Sequence, residues 1–402
     1  MVVRTDVHDA DLHQEENPDR FRTYLVPLLI LTSIFFVNFI SRIVPAPLLP
    51  KIETDLNISH AQSGSFFLLI SIGYFIAIIG SGFLSSRLTH KQTIFYSCAA
   101  LGLVLFGMAF SEGLWGARLG LLVLGMSAGL YISSGITTVT SITSPRHWGK
   151  AISIHELAPN LGFVAAPLIS EVVLIWFSWR AVFVLLGGTA MLLAIVFWRF
   201  GRGGEFSGEA PSLASFGAIL SKPVFWILVA LFSLGISSTL GIFTMLPLYL
   251  VTEHGIERNW ANTLLALSRI PGLGMTLVGG LITDRVGPQR VLRVVFLMGG
   301  LLTIAIGLAP TKWIALAVFV QPLFVVCFFP AGIAALSLAS SQKERSIFVS
   351  LTVPMAFLIG GGAVPALIGF IGDISNFAVG IVVVGGLVLT GAIFTGYLNI
   401  VE

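Results

Sequence analysis

The run Leu264-Leu265-Ala266-Leu267-Ser268-Arg269-Ile270-Pro271-Gly272-Leu273-Gly274-Met275 sets one full positive charge in the middle of an apolar stretch. The hydrophobic segment around it covers residues 260–283, about 24 residues, which is what a hydrocarbon core of ~30 Å requires of a helix. A bare guanidinium at that depth costs roughly 2.5–3.5 kcal/mol on insertion scales, so such residues face a protein-lined cavity rather than lipid. Arg42 poses the same problem inside the first apolar segment. Two arginines set among apolar helices point to a path for something negatively charged.

The composition agrees with a membrane location. The 402 residues are 56% hydrophobic and only 10% charged, whereas a soluble domain carries roughly 25% charged residues. The chain is therefore an integral membrane protein whose main partner is the lipid bilayer. A net charge of +3 gives no argument for nucleic acid. Cys98 and Cys327 both sit in apolar segments, so no disulfide framework is expected. The polar N-terminus, with Asp6, His8, Asp9, Asp11 and His13, reads as a solvated tail rather than a metal site. No cleavable signal peptide, phosphate-binding loop, metal-ligand spacing or nucleophile elbow stands out, so no metal, cofactor or enzymatic chemistry is expected.

Working outward from Arg269, apolar runs bounded by Pro, Gly or charge give twelve spans. They lie near 24–49, 62–84, 93–110, 116–141, 149–176, 181–199, 224–251, 260–283, 291–309, 313–337, 346–371 and 376–398. Lysine and arginine divide unequally between the two sets of connections. Fifteen, among them Arg22, Lys91, Lys150, Arg202 and Arg290, share the side of the N-terminus. Five, namely Lys51, Arg118, Arg180, Arg258 and Lys312, lie opposite. That asymmetry predicts both termini in the cytoplasm of a multi-pass cell-membrane protein, compatible with a bacterial inner membrane.

The longest polar connection, residues 201–222, falls after the sixth span and reads as a cytoplasmic linker. It separates a tail (1–22) and a first six-helix bundle (23–200) from a second bundle (223–402). A repeat supports the division. Gly82-Phe83-Leu84-Ser85-Ser86-Arg87 follows the second span, and Gly280-Leu281-Ile282-Thr283-Asp284-Arg285 follows the eighth, 198 residues later. Duplication of this kind marks transporters whose halves move around a central site. The fold expected is all-α, with twelve transmembrane helices in two pseudo-symmetric six-helix bundles, as a monomer.

On these residues the chain resembles the major facilitator superfamily along essentially its whole length. The family carries a Gly-x-Leu-x-Asp-Arg-x-Gly-type motif between its second and third spans, weakly repeated between the eighth and ninth. Here the second copy keeps Gly280, Asp284, Arg285, Gly287 and Arg290, while the first keeps Gly82, Leu84, Arg87 and Lys91 but has Ser86 and Thr89 for the acid and the glycine. The resemblance implies that these loops brace the closed cytoplasmic side of an outward-open state. Gly162-Phe163-Val164-Ala165-Ala166-Pro167 is similar to the family's Gly-x-x-x-Gly-Pro stretch, with alanine for the second glycine. Small residues at that spacing let helix backbones approach.

The resemblance also points to cargo. Asn38-Phe39-Ile40-Ser41-Arg42 is similar to the Asn-x-x-Asp-Arg pattern of the organic-anion branches, with Ser41 in place of the acid. Monocarboxylate, oxalate and nitrate carriers of the superfamily use an arginine in the eighth span, which Arg269 resembles. A guanidinium presents a planar fork that takes a carboxylate bidentately and stays protonated when desolvated. The repeat partner of Arg269 is Ser71, so the charge is not common to both halves.

Glu156, with Asn160 one turn on and His155 beside it, is the acid best placed for coupling to protons. In the superfamily the fifth and eighth spans face each other, so a Glu156–Arg269 contact that forms and breaks with gating is expected. The plainer alternative has Glu156 pairing with Arg146 or Lys150 and His155 simply packing. Tyr131, Ser133, Ser134, Thr244 and Gln321 are candidates to line the cavity. The leading reading is a proton-coupled secondary transporter of a small, monocarboxylate-like organic anion working by alternating access. The alternative is a proton-coupled exporter of amphipathic drug-like compounds, suggested by the phenylalanine-rich spans.

Overall fold

The computed structural model describes residues 21–208, 213–341 and 344–398. Most of the N-terminal tail and residues 209–212 of the expected linker lie outside the described residues. Among the described residues twelve helical spans are long and apolar enough to cross a membrane: Phe21–Leu56, His60–Ser85, His90–Ala109, Gly113–Ile142, Pro145–Leu174, Trp179–Phe200, Pro223–Thr252, Arg258–Val286, Pro288–Leu308, Thr311–Ala339, Ile347–Ile374 and Phe377–Tyr397. The first span runs to Leu56 rather than to residue 49. Pro45 opens a second helical segment after Val44, where its fixed φ suits a first turn and its missing N–H leaves nothing unpaired. The segment stops where Asn57 turns left-handed at φ 49°, and Ser59 with Gln62 caps the second span reciprocally.

The duplication reaches into the packing. A Cβ on Gly102 or Gly187 would come within 3.0 and 3.1 Å of the other's carbonyl oxygen, where the third and sixth spans cross. Gly300 and Gly385, each 198 residues on, repeat the arrangement at 2.9 and 3.0 Å between the ninth and twelfth. Glycine permits this approach because no side chain separates the backbones. Each half is thus a six-helix bundle built on the same crossing.

The linker's first residues zip onto the first half. The N–H groups of His90 and Lys91 donate to the carbonyls of Phe206 (3.1 Å) and Gly204 (2.8 Å), and Gly208 donates to Ser85 (2.8 Å). Lys91 reaches Glu205 at 3.1 Å. At the linker's far end Lys222 donates to Glu344 at 2.6 Å, which together with Ser341 holds that carboxyl below its ordinary range.

The halves meet across a seam latched on the side away from the linker. Asp373 of the eleventh span accepts from the N–H groups of His60 and Ala61, both at 2.9 Å, at the start of the second. Glu171 of the fifth span accepts from Arg258 (2.7 Å) and Asn262 (2.5 Å) at the start of the eighth. Asn262 also donates to the carbonyl of Pro47 at 3.1 Å. His60 and Arg258 are repeat counterparts, 198 residues apart. The two acids therefore clamp equivalent helix starts from opposite halves. Among the described residues, the hydrogen bonds and ion pairs joining the halves all lie on this far side.

Glu171→Gln removes a charged acceptor from a two-donor latch, a loss of about 1.5–3 kcal/mol in the closed far side. A Thr244→Cys reporter at the seam is expected to label several-fold faster with an impermeant thiol reagent from the far side in that background. An unchanged rate would mean the latch does not hold this side shut.

Candidate functional site

A small cavity of about 20 Å³, little more than the space of one water, sits in the seam, walled by Phe39, Arg42, Phe67, Ser71 and Tyr74 from the first half and by Leu240, Thr244 and Phe357 from the second. Its chemistry is set by Arg42, which is 7% exposed. The guanidinium carbon lies 4.2 Å from the centre of the Tyr74 ring, 5.1 Å from Phe39 and 5.9 Å from Phe357. Its Nε is buried and unpartnered, and among the described residues no carboxylate pairs with it. Aromatic faces stabilise a cation by about 0.5–2 kcal/mol each, but they do not neutralise it.

The first span brings this about through spacing. Phe35, Phe39 and Arg42 fall at i, i+4 and i+7, one face of a helix. Phe39 packs against Phe163 of the fifth span with centroids 5.1 Å apart. It fits because position 162 is glycine: a Cβ there would lie 2.7 Å from the Phe39 ring. The Gly162 stretch thus makes room for the ring that walls Arg42.

Arg269 lies on the other side of that aromatic wall. Its guanidinium carbon is 4.7 Å from the Phe163 ring centre and 4.8 Å from Phe243, and Nη2 donates to the Thr239 carbonyl at 3.0 Å. Thr239 belongs to a π-helical turn, Ser237–Gly241, in the seventh span. Gln321 serves the same turn, donating to the Ser238 carbonyl at 2.8 Å. A π-turn shifts the helix ladder, as π-bulges do at many functional sites, and these two side chains take up its carbonyls. A second π-turn, Phe357–Ala363, lies opposite in the eleventh span. The repeat relates the arginines in a crossed way: Leu240, counterpart of Arg42, and Ser71, counterpart of Arg269, both line the cavity.

Other expected site residues fall elsewhere. Asn38 donates to the Ala128 carbonyl at 2.9 Å, tying the first span to the fourth. Tyr131 donates to the Leu31 carbonyl at 2.8 Å and meets His155 at 3.0 Å. Ser134 meets His90 at 3.1 Å and Ser133 meets Ser81 at 3.2 Å. These residues join helices and, like Gln321, stand outside the cavity wall; Thr244 stands in it.

The structure does not bring Glu156 to Arg269. The fifth span breaks between Trp148–His155 and Leu157–Leu174, because Pro159 has no N–H to give the His155 carbonyl. The break leaves the Glu156 side chain 49% exposed, 3.5 Å from Nδ1 of His155. Asn160 donates to the Glu156 carbonyl at 3.1 Å. The motif residues Arg87, Asp284 and Arg285 are exposed and Gly82 and Gly280 half-buried, and none takes part in the latch. Gly287 is left-handed at φ 90°, while its counterpart Thr89 instead caps the third span.

Tyr74 and Ser71 were not evident in the sequence as cavity residues, although they fall at i and i+3 on one helix face. Phe357 carried no sequence signal.

Two pseudo-symmetric bundles enclosing a seam cavity are the architecture of secondary transporters. A Major Facilitator Superfamily model matches residues 31–320, and the chain belongs to that family. It is similar to a hexuronate transporter of Bacillus subtilis (strain 168), 24% identical over 64% of this chain and 64% of that one, so the match spans just under two thirds of that relative. It is also similar to a probable L-galactonate transporter of Escherichia coli (strain K12), 20% identical over 93% of this chain and 88% of that one. A solved bacterial homologue of the human lysosomal transporter Spinster, in an inward-facing and occupied conformation, superimposes with a TM-score of 0.77 at 18% identity, covering 94% of this chain and 97% of that one.

Gly162→Ala drives a methyl into the Phe39 ring and is expected to destabilise the detergent-solubilised protein by about 1–3 kcal/mol. Gly386→Ala, with nothing within 4 Å of the added atom, serves as control and leaves the unfolding temperature in place.

Proposed function

We propose that the chain carries a small, monocarboxylate-like organic anion bound at Arg42 and couples its movement to protons by alternating access. The observation that carries this reading is a buried guanidinium, unneutralised among the described residues, facing a cavity between the halves. Such a charge is tolerable when a counter-charge visits it. Arg269, whose counterpart lines the cavity, is proposed as the second anion contact, reached when its bond to Thr239 is exchanged as the helices rearrange. The bundles 23–200 and 223–402 rock about the cavity with 201–222 connecting them. The motif residues Gly82, Arg87, Gly280, Asp284 and Arg285 brace the linker side in the state opposite to this one. The excess of lysine and arginine on that side supports its being cytoplasmic, with both termini.

The walls narrow the cargo. Beside Arg42, only Ser71, Tyr74 and Thr244 offer polar atoms, while Phe39, Phe67, Leu240 and Phe357 are apolar. A carboxylate with a short or apolar body fits those walls better than the hydroxylated acids named for the two relatives. The aromatic lining also suits the amphipathic compounds of an export reading, but a neutral or cationic drug would leave Arg42 unpaired.

Short monocarboxylates are expected to raise the unfolding temperature of the purified protein, with hexuronate and galactonate giving less. Arg42→Ala should abolish the effect, Arg42→Lys should recover part of it, and Arg269→Ala should abolish uptake in proteoliposomes while the fold persists. Undiminished stabilisation in Arg42→Ala would remove the anion site from this cavity.

A further inference from the structure

We propose that a groove between the second and fourth spans binds an anionic phospholipid of the far-side leaflet, with Arg118 on its phosphate and leucines along its acyl chain. The groove has a volume of about 410 Å³, within the range of specific small-molecule sites. Leu68 and Leu69 of the second span form one wall and Leu119 and Leu122 of the fourth the other, with Trp115 and Arg118 toward the far side.

The groove follows from how the two helices cross. A Cβ on Gly73 would run into the Leu122 carbonyl, and one on Gly125 into the carbonyl of Ile70, so the backbones touch at those positions. Both helices begin on the far side. Above the crossing, two helices set at an angle must part, and there the groove opens.

The occupant follows from charge. Arg118 is the sixth residue of its span, roughly 7–8 Å along the axis from the helix start. Trp115 and Leu119 beside it are 77% and 63% exposed, and in a membrane-spanning helix such faces meet lipid. The Arg118 guanidinium carbon rests 5.0 Å from the Trp115 ring centre. Among the described residues it has no hydrogen-bond or ion-pair partner, and Glu112, the acid nearest in sequence, does not pair with it. A cation at that depth reaches for the headgroups, where a phosphodiester takes a guanidinium through paired N–H bonds. Ser65, also in the wall, gives its hydrogen to the Gln62 carbonyl at 2.6 Å, which leaves its lone pairs for a headgroup hydroxyl. A free phosphate would gain nothing from the leucines.

The duplication marks the cation as an addition. Trp115 has Trp313 as its counterpart 198 residues on, whereas Arg118 corresponds to Leu316. The second half keeps the interfacial anchor without the charge.

Native mass spectrometry of the purified protein titrated with phosphatidylglycerol tests this. Arg118→Gln should weaken retention of the first lipid about tenfold, as loss of one charge-assisted pair implies. Leu69→Trp, which fills the groove and keeps the charge, should weaken it as much. Lys312→Gln, which removes a far-side cation from the other half, should leave it unchanged. Undiminished binding in either groove variant, or an equal loss in Lys312→Gln, overturns the site. Phosphatidylcholine held as tightly overturns the requirement for an anionic lipid. Glycerol 3-phosphate displacing the lipid at similar concentration overturns the lipid in favour of a free phosphate ester. Should the groove variants fail to fold, quenching of Trp115 in the wild type by brominated phosphatidylglycerol decides, the signal being assigned by its loss in Trp115→Phe. Stronger quenching than brominated phosphatidylcholine gives is expected, and equal quenching by both overturns the inference.

Discussion

A cation held out of water against aromatic faces, with no acid of its own among the described residues, is the constraint on which the rest of this molecule depends. The quadrupoles of Tyr74, Phe39 and Phe357 offset part of the desolvation of Arg42 but leave its charge intact. A permanent carboxylate partner would have been the cheaper arrangement for the fold and would have closed the site to a visiting anion. Arg269 shows the same economy, resting between Phe163 and Phe243 and lending one N–H to a backbone carbonyl. Both arginines therefore keep hydrogen-bonding capacity in reserve at the seam.

The surrounding architecture keeps that seam movable. Within each half, glycine crossings lock backbones together at the same repeat positions. Between the halves, the hydrogen bonds and ion pairs among the described residues are peripheral: Asp373 on the second span's first N–H groups and Glu171 on Arg258 and Asn262, while the seam itself is packed through rings such as Phe163 on Phe243. A carboxylate at a helix N-terminus gains from hydrogen bonds and from the helix dipole together, and it is also readily solvated when the contact opens. Rigid crossings inside and polar latches at the rim are what a rocking carrier requires.

Much of this was legible in the sequence. Composition and apolar run length gave the twelve spans, and the Gly82 and Gly280 motifs gave the repeat. Arg42 and Thr244 were expected at the cavity and stand in its wall. What escaped were facts about faces. Apolar-all-round spans carry little periodicity to show which side meets a partner, so Asn38, Tyr131 and Gln321, polar and mid-span, looked like cavity residues and are helix ties. Tyr74 and Ser71 escaped because their role depends on the first span lying opposite. The π-turns around Thr239 and Gly360 have no sequence period at all. Pro159, three residues beyond Glu156, was the signal that the helix is interrupted there, and in this conformation the expected gating contact with Arg269 is not made.

That break is what separates the two charges the transporter has to manage. At Glu156 the carboxylate lies 3.5 Å from the buried imidazole of His155 rather than against an arginine. Tyr74, on whose ring Arg42 lies, and the first span stand between the positive charge at the seam and the carboxylate of Glu156. Phe35 lies on His155 and Phe39 walls Arg42, one turn apart on the same face of the first span. A shift of that span which tightens the Arg42 cage around an anion must also move the ring stacked on the imidazole. The two neighbourhoods are thus joined by one stiff helix whose single face carries both aromatic neighbours.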